Sequence, residues 1–214
     1  MPRNKYPEIT EARILDTATR LFLEKGWEQT TVQDIVDELG DITRGAFYHH
    51  FKSKDEIIDA VTTRVFMGNN PFEAVEKMTG LNGLEKVKYI LKFSLKRDDT
   101  LELGQIATSV LTSPICIGKQ VLDSVNSLAP YFAQYIAEGV ADGSIHVEDP
   151  QYTAETLLLL LNIWLSPMIF PSSKSEYLRK YEQLKIMFEN IGLPLFDDDL
   201  HDCFVDLHDK FHTA

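Results

Sequence analysis

Three apolar-periodic segments follow one another within the first 50 residues, each opened by a capping residue and two of them closed by glycine. That pattern leaves room for helices joined by tight turns and for little else. Thr10 can cap a first helix running to about Lys25, with Ile14, Leu15, Ala18, Leu21 and Phe22 on one stripe. Gly26 stands where a left-handed residue would end it. Thr31 with Asp34 is a capping-box-like start for a second helix, whose Val32, Ile35, Val36 and Leu39 face inward before Gly40. After the brief turn Gly40-Asp41-Ile42, Thr43 caps a third helix through about His50. Ser53 and Glu56 then open a fourth that reaches about Met67. Capped helices this short, two of them joined by a glycine-containing turn, describe a helix-turn-helix.

Beyond Asn69-Asn70-Pro71 the period stays helical, and strand-like alternation is nearly absent. Helices are expected near 84–97, 101–112, 117–140, 152–170 and 174–191. The fold class is therefore all-α. A three-helix helix-turn-helix domain fills 1–55, with the fourth helix over 53–68 as connector. A larger helical domain, for ligand binding and dimerisation, fills 69–195, and 196–214 forms an extra helix or tail.

Charge argues the other way. The net charge is −12, and residues 1–60 carry 8 Lys and Arg against 12 Asp and Glu. Neutralising phosphates needs lysine and arginine, so bulk composition points away from nucleic acid. Only the local arrangement reverses this. Between Ile42 and Lys54 lie Arg44, Lys52 and Lys54, with His49 and His50, and no acidic residue. A recognition helix sets its N-terminal residues against base edges, where Thr43 and Arg44 stand, and Arg44 can make a bidentate contact to guanine. Gly45 allows close backbone approach, while Tyr48 and His49 reach toward phosphates or a thymine methyl. Lys54 adds charge to amides that already favour an anion. A basic segment flanked by aromatics is also what a solvated face looks like, with Phe47 and Phe51 as core.

These residues resemble a known family. The opening helix ends Leu21-Phe22 before Gly26-Trp27, and Thr30-Thr31-Val32, Asp34-Ile35 and Gly40 follow. The run Thr43-Arg44-Gly45-Ala46-Phe47-Tyr48-His49-His50-Phe51-Lys52-Ser53-Lys54 completes the pattern. Residues 10–60 thus look like the DNA-binding domain of the tetracycline-repressor (TetR) family of bacterial regulators. The resemblance implies that Thr31, Thr43, Arg44, Gly45, Tyr48, His49 and Lys54 contact a double-stranded DNA operator. The turn carries Asp41-Ile42 where the family usually has one residue, which bears on the angle of the recognition helix, and Asp41 can repel a nearby phosphate.

In the remainder, the run from Ala137 to Ile145 resembles the family's turn before its last two large helices, which pair with their twofold mates. The residues offer matching material: Leu157, Leu161 and Trp164 belong to a segment apolar nearly all round, and Tyr177, Tyr181, Leu184, Phe188 and Ile191 form a seam at 4-3-4-3 spacing. The same seam also suits an intramolecular core. A homodimer is expected because one reading head offers few contacts. Candidates for a small-molecule effector pocket are Phe66, Tyr89, Phe93 and Ile106, with Leu111, Tyr131 and Tyr135. Each also fits ordinary core.

In the tail, Leu200, Phe204, Leu207 and Phe211 make an apolar stripe. His208 and His212 have the i,i+4 spacing that can chelate a metal beside Asp209 or Asp202, but a solvated face is the simpler reading, and neither metal nor cofactor is expected. No phosphate loop, GxSxG or HExxH is present, so no enzyme is expected. The start lacks a secretory apolar core, and the stretch from Leu157 to Phe170 is interrupted by Asn162, Ser166 and Pro167. Cys116 and Cys203 make no disulfide framework, and a reduced, cytoplasmic protein away from membranes is the expectation. Two functions stand: a repressor that binds a palindromic operator as a dimer and is released by an effector, or a dimeric small-molecule or metal-binding protein with weak or lost DNA binding.

Overall fold

The computed structural model describes residues 7–67, 71–96 and 114–212 and divides the chain into two compact units, one closing at Asn70 and the other opening at Pro71. The described residues form helices and turns without a strand, and none of their helices is long and apolar enough to cross a membrane.

The first unit holds α1 (Pro7–Lys25), α2 (Val32–Leu39), α3 (Arg44–His50) and α4 (Lys54–Met67). α1 starts at Pro7, ahead of Thr10, because proline in a first helical turn forfeits no helix hydrogen bond. Its stripe of Ile14, Leu15, Ala18, Leu21 and Phe22 is buried, together with Ile35 and Val36 of α2, Phe47 and Phe51, and Ile57, Ile58 and Val61 of α4. The corner after α1 is closed by Thr30, whose buried hydroxyl donates to the carbonyl of Gly26 at 2.8 Å and meets that of Leu21 at 3.2 Å. Trp27 sets its ring edge-on to Phe22, centroids 5.1 Å apart. Gly40 caps α2 at φ 69°, a left-handed conformation that any side chain would strain, and its N–H donates to the Val36 carbonyl.

The second unit begins with α5 (Pro71–Glu76), which the periodicity did not reveal, and α6 (Gly83–Leu95). α7 (Pro114–Asp123) runs through a π-helical turn, Ser124–Leu128, into α8 (Ala129–Asp142). α9 (Pro150–Leu159) ends in a second π-helical turn, Leu160–Trp164, and α10 (Lys174–Asn190) and α11 (Asp198–His212) complete the unit. α6 and α8 cross at a glycine pair: a Cβ on Gly83 would lie 2.1 Å from the Gly139 backbone nitrogen. At that crossing the N–H groups of Gly83 and Leu84 donate to Asp142 (2.7 Å) and Ser144 (3.3 Å), so the end of α8 supplies acceptors that the first turn of a helix lacks.

The structure corrects the reading of the seam. Tyr177, Tyr181, Leu184 and Phe188 line one face of α10 and are at most 1% exposed within a single chain. That face is filled from inside: Tyr181 meets Phe196 at 5.4 Å and Phe204 of α11 at 5.5 Å, and Phe188 meets Phe196 at 5.7 Å. Leu157 and Leu161 are likewise buried in their own unit. Two apolar stripes in one chain mate with each other before either can serve a partner. Trp164 is half-buried and borders an open surface groove of ≈ 620 Å³. The outward row is different, with Ile186 and Met187 on α10 and Ile191 just beyond it exposed. His208 is corrected as well: it is buried, not solvated, with Nε2 3.1 Å from the Ser172 carbonyl and its ring 4.9 Å from that of Tyr177.

Candidate nucleic-acid interface

α3 is a seven-residue helix. Thr43 caps it in extended conformation, its hydroxyl accepting from the Ala46 N–H at 3.2 Å. Phe47 is fully buried and Phe51 nearly so, their centroids 6.3 Å apart. Arg44, Gly45, Ala46, Tyr48 and His49 are left exposed on the rest of its surface. Thr43, Arg44, Gly45, Tyr48 and His49 thus share one accessible element. The Arg44 guanidinium lies over the Tyr48 ring at 5.7 Å, so the phenol presents the cation outward. A Cβ on Gly45 would meet nothing nearer than the Thr43 hydroxyl at 3.9 Å, so the backbone there is open to a close partner.

Two of the sequence-predicted contacts also hold the fold together. Thr31 forms the capping box of α2: its hydroxyl accepts from the Asp34 N–H at 3.1 Å and donates to the Asp34 carboxylate at 2.8 Å. The Thr31 backbone N–H, which donates to the same carboxylate at 2.6 Å, then the Thr31 hydroxyl and the Lys25 ammonium lower the Asp34 carboxyl to about 2. The Lys54 side chain turns back onto the corner after α1. Its ammonium donates to the carbonyls of Trp27 and Thr30 (2.8 Å to the latter) and rests 3.9 Å from the Trp27 ring centroid. These carbonyls follow the end of α1 and have no helical partner, so the cation staples the turn between α1 and α2 to the start of α4. Burial pushes the Lys54 ammonium down from its usual range.

Part of the acidity of this unit is offset by ion pairs. Arg13 makes a two-pronged pair with Asp41 at 2.8 and 2.9 Å. Arg20 bridges Glu24 and Glu38, and Lys25 meets Asp34 at 3.0 Å. Cations of α1 therefore neutralise carboxylates of α2 and of the turn ahead of α3. Sequence reasoning missed the pairs to Asp34, Glu38 and Asp41 because their partners lie 9 to 28 positions apart in the chain. Hydrogen bonding to Arg13 also holds the Asp41 carboxyl below its ordinary value.

The effector candidates fall into two aromatic groups. Tyr89 and Phe93 stack on α6 with centroids 5.9 Å apart. Tyr131, half-exposed, and Tyr135, buried, both stack on Phe72, at 4.9 and 6.4 Å, a residue the sequence reading did not single out. Ile106 and Leu111 lie outside the described residues, as does the side chain of Phe66. A polar stitch was also missed. Asn162 Nδ2 donates to the fully buried Ser124 hydroxyl at 3.1 Å, and Gln120 Nε2 donates to the Asn162 carbonyl at 3.3 Å. Ser124 and Asn162 each belong to one of the π-helical turns, and such turns free a carbonyl for outside partners.

Comparison with known proteins agrees with this geometry. Residues 14–61 match the profile of the bacterial regulatory proteins of the tetR family. Over 152 residues, 69% of this chain and 78% of the relative, the sequence is 28% identical to an uncharacterised HTH-type transcriptional regulator, YhgD, of Bacillus subtilis strain 168. The HTH-type transcriptional repressor KstR2 of Rhodococcus jostii strain RHA1 is 48% identical over 48 residues, which cover 22% of this chain and only 23% of that protein. Among solved structures, a TetR-family transcriptional regulator from Pectobacterium atrosepticum superposes with a TM-score of 0.59 at 21% identity, over 90% of this chain and 98% of the other. The reading helix and the match around it converge: residues 14–61 carry a DNA-binding domain of the tetR-family type, in a chain whose helical fold resembles that of a TetR-family regulator.

Proposed function

We propose that this transcriptional regulator is a repressor that binds a palindromic operator as a homodimer and is released by a small-molecule effector. The observation that carries the DNA-binding half is α3 itself: a short helix anchored by Phe47 and Phe51 that leaves Thr43, Arg44, Gly45, Tyr48 and His49 on its exposed side. Ion pairs from α1 keep the neighbouring carboxylates from opposing a phosphate backbone. Repression follows the stretch shared with KstR2. Ile186 and Met187 form the accessible apolar row for a twofold mate, since the buried seam is already occupied. The effector site belongs to the second unit, where Tyr131 and Tyr135 against Phe72 offer an aromatic wall. A ligand there acts only through its different affinity for the DNA-holding and released states.

The test is selection of duplexes from a random DNA pool by the full-length protein, followed by binding measurements on the enriched duplex at several salt concentrations. Enrichment of a sequence with twofold symmetry, bound with a steep negative salt dependence, supports the reading. Equal affinity for the enriched duplex and a scrambled one overturns it.

A further inference from the structure

We propose that Arg13, which lies on α1 outside the helix-turn-helix, is the positioning residue that aims the recognition helix, acting through Asp41. The proposal rests on the DNA-binding reading above. Both large apolar anchors of α3, Phe47 and Phe51, sit in or after its second half. The half that would meet base edges, Thr43 to Ala46, is exposed. Its direction is therefore set by the turn that leads into it. That turn begins with left-handed Gly40, the most permissive backbone in the segment, and runs through Asp41 and half-buried Ile42 to the Thr43 cap.

Arg13 removes the freedom this longer turn would have. Both prongs of its guanidinium donate to the two Asp41 carboxylate oxygens, at 2.9 and 2.8 Å, across 28 positions of chain. A fork of this kind fixes orientation as well as distance, which a lysine ammonium would not. Arg20, two helical turns along the same side of α1, holds Glu38 in the last turn of α2. The end of α2 and the turn after it are thus pinned to α1 at two points. The same pair cancels the one carboxylate in the turn ahead of α3. Both partners are exposed, 44% and 59%, and an ion pair so placed adds little to stability. Its consequence is aim.

The experiment uses the full-length protein, a duplex that the parent protein enriches from a random pool, and a scrambled duplex of equal length, read by fluorescence anisotropy. Arg13→Ala is expected to lose about tenfold on the enriched duplex, the size of one mismatched base contact, and little on the scrambled one. The reversed pair, Arg13→Asp with Asp41→Arg, is expected to recover the parent affinity to within about threefold, as a coupled pair should. The melting temperature of each variant stays near that of the parent. Arg13→Ala binding like the parent on the enriched duplex overturns the proposal. So does an equal loss on both duplexes that the reversed pair fails to restore, the mark of a direct phosphate contact. If the parent enriches no sequence at all, the DNA-binding reading itself fails, a result visible before any variant is made.

Discussion

Arg44 and Lys54 are both cations of the reading unit, but one is exposed over Tyr48 and the other is folded under Trp27. Their substitutions should differ in kind. Arg44→Ala is expected to relax preference at one base position and cost about 1–3 kcal/mol of binding to the selected duplex, read by competition with single-base variants. Lys54→Met should instead lower the stability of the protein by about 1–2 kcal/mol, because the Thr30 carbonyl loses the Lys54 donor and the Trp27 carbonyl is left with the Thr30 N–H alone. Urea unfolding checks this, and the salt slope of DNA binding should stay at its parent value. A reduced slope with unchanged stability would restore Lys54 as a phosphate contact.

At the scale of elements, α2 is tuned by its capping box. Asp34 has its carboxyl lowered from 3.8 to about 2 by hydrogen bonds from Thr31 and then by Lys25. A depressed carboxyl stabilises the folded form fully above its unfolded value, and that contribution disappears as pH falls from about 4 through about 2. Unfolding followed across that window should show a stability loss that Asp34→Asn flattens, while leaving the protein slightly weaker near neutrality. A parent and variant with parallel pH profiles would refute the assignment. The α6–α8 crossing is less forgiving. A Cβ on Gly139 would approach the Ile145 side chain to 2.5 Å, and one on Gly83 would run into the Gly139 backbone. Gly83→Ala is therefore expected to cost on the order of 3 kcal/mol or more, since backbone cannot yield as a side-chain tip does. Calorimetric melting decides it.

For the whole molecule, the exchange of roles between α10 and α11 separates packing from association. Tyr181→Ala should destabilise the second unit by about 3–5 kcal/mol, the usual range for removing a buried aromatic. Ile186→Asp, on the outward row, should leave the melting of dilute protein near the parent value and weaken self-association in sedimentation equilibrium. Self-association unchanged by Ile186→Asp would move the twofold contact off this row. With a net charge of −12, the protein is expected to hold random DNA poorly, which binding to a scrambled duplex at low salt checks.

Much of this molecule is legible in its residues because the signals are local. The capping box at Thr31, the Ser53 hydroxyl that accepts from the Glu56 N–H and the left-handed glycines at 26 and 40 act within about one helical turn, so α1 to α4 can be drawn from the chain alone. Periodicity likewise marked α6, α10 and the apolar stripe of α11, and the α3 run carried the family resemblance. Short α5 escaped because six residues give too few repeats to show a period. The helix expected over 101–112 lies outside the described residues. What the residues could not say is who meets whom. A seam at 4-3-4 spacing looks the same whether a second copy or α11 fills it, and only packing in three dimensions gave it to α11. Lys54 has the type and place of a phosphate contact until Trp27 and Thr30 fold back onto it. Asp41 carries the wrong sign for a DNA-facing turn until Arg13 reaches it. Sequence determined the helices and the reading head, whose causes lie a few bonds apart. Tertiary structure decided which charges and apolar faces remain available, because their partners are brought together only by folding.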